Sequence, residues 1–307
     1  MNAAWTAGGV RAGGLLNRRL GTAATNDIAR CASLADAVSL LVATPYGFAV
    51  RRGQTLVAAE HALSATVLWH LRVLAGWLPR HGAHLMRLLA GWFEIANLLD
   101  HLRTLCGADP QPRYVLGSLA TAWPRLAETS STAQLRAVLA ASPWGDPGTT
   151  EPWGIATAVH LSWAARVASA SPYARAWAVG GAALLTARAR FVVGRSVPEP
   201  ARRWQVLLLG ARQAQAHTLA AFGRRLPAEA RWALCGVEDP DELWRAEEQW
   251  WTRLDRDASA TRRRPGFGPA HAVSCAALLA VDARRCRAAL ELAARGGSPQ
   301  EALDALA

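Results

Sequence analysis

Ser33-Leu34-Ala35-Asp36-Ala37-Val38-Ser39-Leu40-Leu41-Val42-Ala43-Thr44-Pro45-Tyr46-Gly47 is the stretch that decides the reading of this chain. It returns 98 residues later as Ser131-Thr132-Ala133-Gln134-Leu135-Arg136-Ala137-Val138-Leu139-Ala140-Ala141-Ser142-Pro143-Trp144-Gly145. Both copies predict the same local physics. A serine caps a short amphipathic helix, and a Thr/Ser-Pro-aromatic-Gly sequence stops it. Proline disfavours helix in the residue before it, and glycine can take the left-handed exit. Tyr46 and Trp144, caught between the two breakers, are expected to plug against neighbouring helices.

Working outward, the chain is helical throughout. Ala, Leu, Arg and Glu are abundant, Ile is limited to Ile28, Ile95 and Ile155, and no segment alternates apolar and polar residues as a half-buried strand would. The fold class is all-α. Leu56, Leu63, Val67, Leu71, Leu74 and Leu78 fall on one helical stripe. After a break at Pro79 and Gly82, Leu85, Leu88, Leu89, Trp92, Ala96, Leu99 and Cys106 predict a second stripe. Each copy of the motif leads to a long helix, from Gly91 to Arg103 in the first module and from Ala182 to Arg195 in the second. A third unit contains Leu226-Pro227 and Asp239-Pro240-Asp241-Glu242, with Asp239 as N-cap, and closes on a helix from about His271 to Arg295. The expected division is an N-terminal helix (1–21) and three pseudo-repeated helical modules, 22–108, 109–197 and 198–307. A length of 307 residues, past the roughly 250–300 at which a single core stops growing, agrees with several modules.

The charge is odd in kind. All 34 cations are Arg against 23 acids, a net +11. Residues 1–108 hold 10 Arg and 5 acids, residues 109–197 hold 8 and 4, and residues 198–307 hold 16 and 14. A stand-alone basic module binding nucleic acid or an acidic protein is the alternative this charge allows, but phosphate-backbone readers gather their cations on one stripe and these are dispersed. No nucleic-acid partner is therefore expected. Lysine is absent, so no P-loop and no Schiff-base lysine can exist. No His-Glu-x-x-His, Gly-x-Ser-x-Gly or di-iron Glu-x-x-His pattern occurs. His81 and His84 read as exposed hairpin residues, the five cysteines as reduced and mostly buried, and Trp244, Trp250 and Trp251 as a packed helical face. No catalytic residue, cofactor or metal is expected. No export signal and no 18-residue apolar span are read, which predicts a cytoplasmic chain.

Glu94-Ile95-Ala96-Asn97-Leu98, followed by Arg103 and Gly107, together with the two Pro-aromatic-Gly stops, resembles the d/C subunit family of V-type and A/V-type ATPases. The closing helix resembles that family's last module, with Asp282 at the acid position and Arg285, Cys286 and Arg287 where Asn-Leu-Arg is typical. The resemblance implies a funnel of three pseudo-symmetric modules. It further implies a non-catalytic accessory subunit that links the central stalk to the membrane proteolipid ring, peripheral on the cytoplasmic face of the plasma membrane, in ATP-driven proton or sodium transport. Tyr46, Glu94, Asn97, Trp144, Asp282, Arg285 and Arg287 are the expected contacts, either between modules or with partner subunits.

Overall fold

The computed structural model describes residues 3–296. Among them every regular element is a helix or a helical turn. The chain divides into two compact units, Met1–Met86 with Asp255–Ala307, and Arg87–Leu254. This is a division by packing, whereas the three modules divide the chain by internal similarity. No described helix is long and apolar enough to cross a membrane.

The first unit contains α1 (Ala3–Leu16), α2 (Gly21–Ala29), α3 (Leu34–Val42), α4 (Leu56–Trp77) and α14 (Pro269–Ala294). Ser33 caps α3 by accepting from Asp36 N, and Thr55 caps α4 by accepting from Ala58 N. The expected α4 stripe is buried from Leu63 through Val67, Leu71 and Leu74. α14 is the centre of the unit and packs on α1, α2, α3 and α4. That burial fits its composition, since Ala272, Ala276, Ala283 and Ala289 let neighbouring backbones approach while Leu278, Leu279 and Leu290 fill the gaps.

The second unit takes up α5 (Arg80–Leu105) from Arg87 onward and α13 (Leu243–Arg263) as far as Leu254. Between them come α6 (Trp123–Leu126), α7 (Thr132–Ala140), α8 (Pro152–Ala170), α9 (Arg175–Ala187), α10 (Glu199–Leu209), α11 (Leu219–Arg225) and α12 (Ala228–Arg231). α8 packs on α9 and α10, and α9 on α12. The second long helix starts earlier than expected, at Arg175, and ends in a π-turn over Arg188–Val192. Asp239 does cap its turn by accepting from Asp241 N, and Pro240 occupies the first helical position.

Four expectations are corrected. The buried face of α5 carries Ala90, Glu94, Asn97, Leu98, His101 and Leu102, whereas Trp92 is half exposed and Cys106 exposed. The expected stripe holds at Leu85 and Leu88, which are buried, and fails from Trp92 onward because the core side of the helix there holds an acid, an amide and an imidazole. Gly82 lies inside α5 and does not end a helix, so Pro79 alone makes the break. Only Cys275 and Cys286 are buried. Trp244 is exposed beside Arg245, while Trp250 donates its indole N–H to Trp177 O.

Candidate functional site

Two buried carboxylates organise the structure, one in each unit. In the second unit Glu94 has no exposed surface. Its Oε2 accepts from Thr121 N at 2.5 Å, and its Oε1 accepts from Ala122 N at 2.7 Å and from the Trp144 indole Nε1 at 3.0 Å. One turn on, Asn97 makes a reciprocal clamp with Tyr114: its Nδ2 donates to Tyr114 O at 2.9 Å, and its Oδ1 accepts from Tyr114 N at 2.7 Å. Arg166 of α8 lies over the Trp144 ring, 5.0 Å from its centroid. Burial lowers the pKa of its guanidinium, and the Glu94 charge opposes that shift.

The first unit repeats the arrangement with different residues. Asp282 is almost wholly buried. Its carboxylate accepts from Leu20 N at 3.1 Å, from Gly21 N at 2.9 Å and from the Tyr46 hydroxyl at 2.8 Å. In both sites a carboxylate on a long helix takes two successive backbone N–H groups and one aromatic donor. Burial raises the Tyr46 pKa well above the ordinary phenol value, and the negative Asp282 acceptor adds to the rise.

Local sequence explains how the aromatics reach these positions. Thr44 Oγ1 accepts from Tyr46 N and donates to Leu41 O; Ser142 Oγ accepts from Trp144 N and donates to Leu139 O. Each hydroxyl therefore closes its short helix and starts the turn that aims the ring inward. The two glycines differ in reason. Gly145 takes the left-handed exit at φ 76°. Gly47 has no positive φ, but a Cβ there would stand 2.1 Å from Val42 O, so only glycine fits beneath the end of α3.

The cores around the carboxylates also correspond. Ile28, Ala37, Leu41, Tyr46, Cys286 and Leu290 cluster in the first unit; Leu126, Leu135, Leu139, Trp144, Leu98 and Leu102 cluster in the second. The first four of each set are 98 residues apart, and Cys286 and Leu290 stand four and eight residues after Asp282 as Leu98 and Leu102 do after Glu94.

The remaining expected contacts divide. Arg285 pairs with Asp255 at 2.9 Å and is largely covered, while Arg287 is half exposed with Glu60 at 4.0 Å. Arg285 does not make the backbone clamp that Asn97 makes. On the second long helix the arrangement is thinner: Arg190 donates to Gln213 O at 3.1 Å, Phe191 meets Phe222 edge-on, and the buried Thr186 Oγ1 and Gln213 Oε1 have no hydrogen-bond partner. Thr218 still caps α11 by accepting from Ala221 N, and Leu226-Pro227 follows that helix.

Sequence reading did not find Arg166, Tyr114 or the N–H pairs at residues 20–21 and 121–122. A lone Arg in the Ala-rich α8 was a usable signal for the first; the backbone donors carry none. Chemically, each carboxylate is an acceptor that takes three hydrogen bonds and ties a capped short helix to a long one. Among the described residues no three His, Cys, Asp or Glu side chains are grouped as metal ligands. In comparisons with known proteins, no family model and no curated sequence matches this chain.

Proposed function

We propose that the chain is a non-catalytic coupling subunit of a rotary V/A-type ATPase, similar to the d/C family. It joins the central stalk to the membrane proteolipid ring for ATP-driven proton or sodium transport and rests on the cytoplasmic face of the plasma membrane through that ring. The single observation that carries this reading is the pair of alike carboxylate joints at Glu94 and Asp282, each receiving the aromatic of a capped short helix. They fall on the residues that carry the family resemblance.

The physical argument concerns stiffness. A part that transmits torque needs helices that do not slide, and a charge-assisted hydrogen bond holds register where an apolar contact permits slip. Three successive long helices, ending near residues 103, 195 and 295, would each receive the short helices of another module. With the chain's last helix serving its first short helix, that scheme closes on itself as a pseudo-three-fold funnel. The exposed arginines of such a body, Arg287 among them, supply planar donors for carboxylates on stalk helices.

The test is affinity purification of the tagged full chain from native membranes in mild detergent. The stalk subunits and the proteolipid ring are expected to come with it; their absence under conditions that keep the rest of the ATPase intact refutes the proposal.

A further inference from the structure

Four arginines gather around the C-terminal half of α1 without a counter-ion. Arg11 lies 6.0 Å from the centroid of the half-exposed Trp77 ring, and its buried Nε has no hydrogen-bond partner. Arg262 reaches across Gly13, its Nη2 being 3.9 Å from where a Cβ would stand. Arg18 and Arg19 follow the last residues of α1, and Arg19 Nε donates to Leu16 O. None of the four makes an ion pair among the described residues, although at least eleven other arginines do. The carboxylate touched by this stretch, Asp282, is already committed to Leu20 N, Gly21 N and Tyr46 Oη.

His70 lies two turns before Trp77 on α4, the helix that packs on α1. It is 5% exposed, and its buried Nδ1 has no hydrogen-bond partner. Arg18 and Arg11 are the charges that act on it, while Arg262 and Arg19 act on the buried Cys275. The negative end of α1 accounts for a cation or two beyond its last turn. It does not account for Arg11 Nε, a donor withdrawn from water without an acceptor, or for His70 Nδ1, buried without a hydrogen-bond partner, and leaving such groups unpaired is costly unless a partner arrives.

We propose that Arg11, Arg18, Arg19 and Arg262, beside His70, form a binding site for a phosphate group. Phosphate is the class that fits. Its two charges and three free oxygens match several planar guanidinium forks, whereas one carboxylate neutralises a single cation. The group is free inorganic or small-molecule phosphate, or the same group on a lipid headgroup. The site stands on its own geometry and is independent of the coupling-subunit reading.

The experiment titrates the full chain with inorganic phosphate by calorimetry, against chloride at matched ionic strength, while the His70 ring nitrogens are followed by NMR. One saturable site is expected, with the His70 signals moving toward the protonated form. The Arg11→Gln/Arg18→Gln variant should bind roughly a hundredfold more weakly, and an Arg103→Gln/Arg225→Gln variant of equal charge should bind as the native chain does. In a second arm the chain is pelleted with phosphatidylcholine vesicles with and without phosphatidate. Pelleting that needs both phosphatidate and Arg11/Arg18 assigns a headgroup; saturable phosphate binding without pelleting assigns a free phosphate. A titration indistinguishable from chloride with unmoved His70 signals overturns the site, as does equal binding by the two double variants. The His70 signals come from the unmutated chain, so the test holds even if a variant folds poorly.

Discussion

Replacing Glu94 by Ala tests the joint where the structure makes it strongest. The substitution removes the acceptor of three hydrogen bonds, from Thr121 N, Ala122 N and Trp144 Nε1. A hydrogen bond to a charged group contributes about 1.5–3 kcal/mol, so the gross loss exceeds what any single surface contact provides. Water entering the vacated volume recovers part of it by solvating the freed donors. Against that recovery, the partly buried Arg166 loses the carboxylate that opposes its desolvation. Setting the three lost hydrogen bonds against that recovery, about 4 kcal/mol is the expected destabilisation of the second unit. Glu94→Gln keeps the volume and one acceptor oxygen but turns an amide NH2 toward a backbone donor, so about 2–3 kcal/mol is expected. The assay is urea unfolding followed by circular dichroism at 222 nm, because 14 tryptophans make fluorescence hard to assign to one unit. Amide hydrogen exchange at Thr121 and Ala122 reports the joint directly. A double-mutant cycle with Trp144→Phe should give a coupling of about 1–2 kcal/mol. A Glu94→Ala loss below about 1 kcal/mol, or unchanged protection of the two amides, refutes the reasoning.

Other expectations follow from the same geometry. Tyr46→Phe deletes the donor to Asp282 and should cost about 1.5–2 kcal/mol in urea melts, since the acceptor is charged. Because the folded Tyr46 pKa is raised above its unfolded value near 10, its contribution is complete below that pH and lost as pH climbs toward the folded value; Tyr46→Phe should flatten this alkaline fall. His70 has the opposite dependence. Burial first, then Arg18 and Arg11, lower its pKa to about 4, so the unfolded chain binds the extra proton between about pH 6.5 and 4, and stability should decline by up to about 3 kcal/mol as pH falls through that window. A His70→Gln variant that declines as steeply over the same window would contradict this. Gly47→Ala should destabilise by about 2–4 kcal/mol, because its methyl meets a backbone oxygen. Gly145→Ala should cost about 1–2 kcal/mol for its left-handed backbone, plus the displacement of Arg203 and Trp204. Thermal melts measure both, and a Gly47→Ala loss below about 1 kcal/mol would argue against the Val42 contact.

The joints explain why polar residues occupy a core. A leucine at position 94 would bury area at no desolvation cost, yet would leave Thr121 N, Ala122 N and the indole N–H without an acceptor. Once a chain segment ends its backbone pairing inside the protein, the acceptor has to come from a side chain. Asp282 meets the same need at Leu20 and Gly21, where the turn after α1 enters α2. At the second long helix no carboxylate is present, the π-turn over Arg188–Val192 follows, and Arg190 contacts a carbonyl instead.

Local signals in the chain are enough to specify its helices. Ser33, Ser131 and Asp239 cap where their positions predict, and the structure adds Thr55 and Thr218, because a cap needs only a side-chain oxygen and an N–H two or three residues on. The apolar stripe of α4 and the inward-facing rings of Tyr46 and Trp144 were legible for the same reason, being set by spacing and by a proline and a glycine next door. The apolar pattern of α5 did not show its buried side, since Glu94, Asn97 and His101 occupy core positions that such a pattern leaves out, and only the family resemblance singled out Glu94 and Asn97. The carboxylates' aromatic partners are remote: Tyr46 reaches a carboxylate 236 residues away and Trp144 one 50 residues away. The chain by itself determined which segments coil and where the serine- and aspartate-capped ones begin. The tertiary structure decided which carboxylate each aromatic reaches, because a hydrogen bond between distant segments leaves no period in the sequence and exists only once packing has excluded the water that would otherwise compete for it.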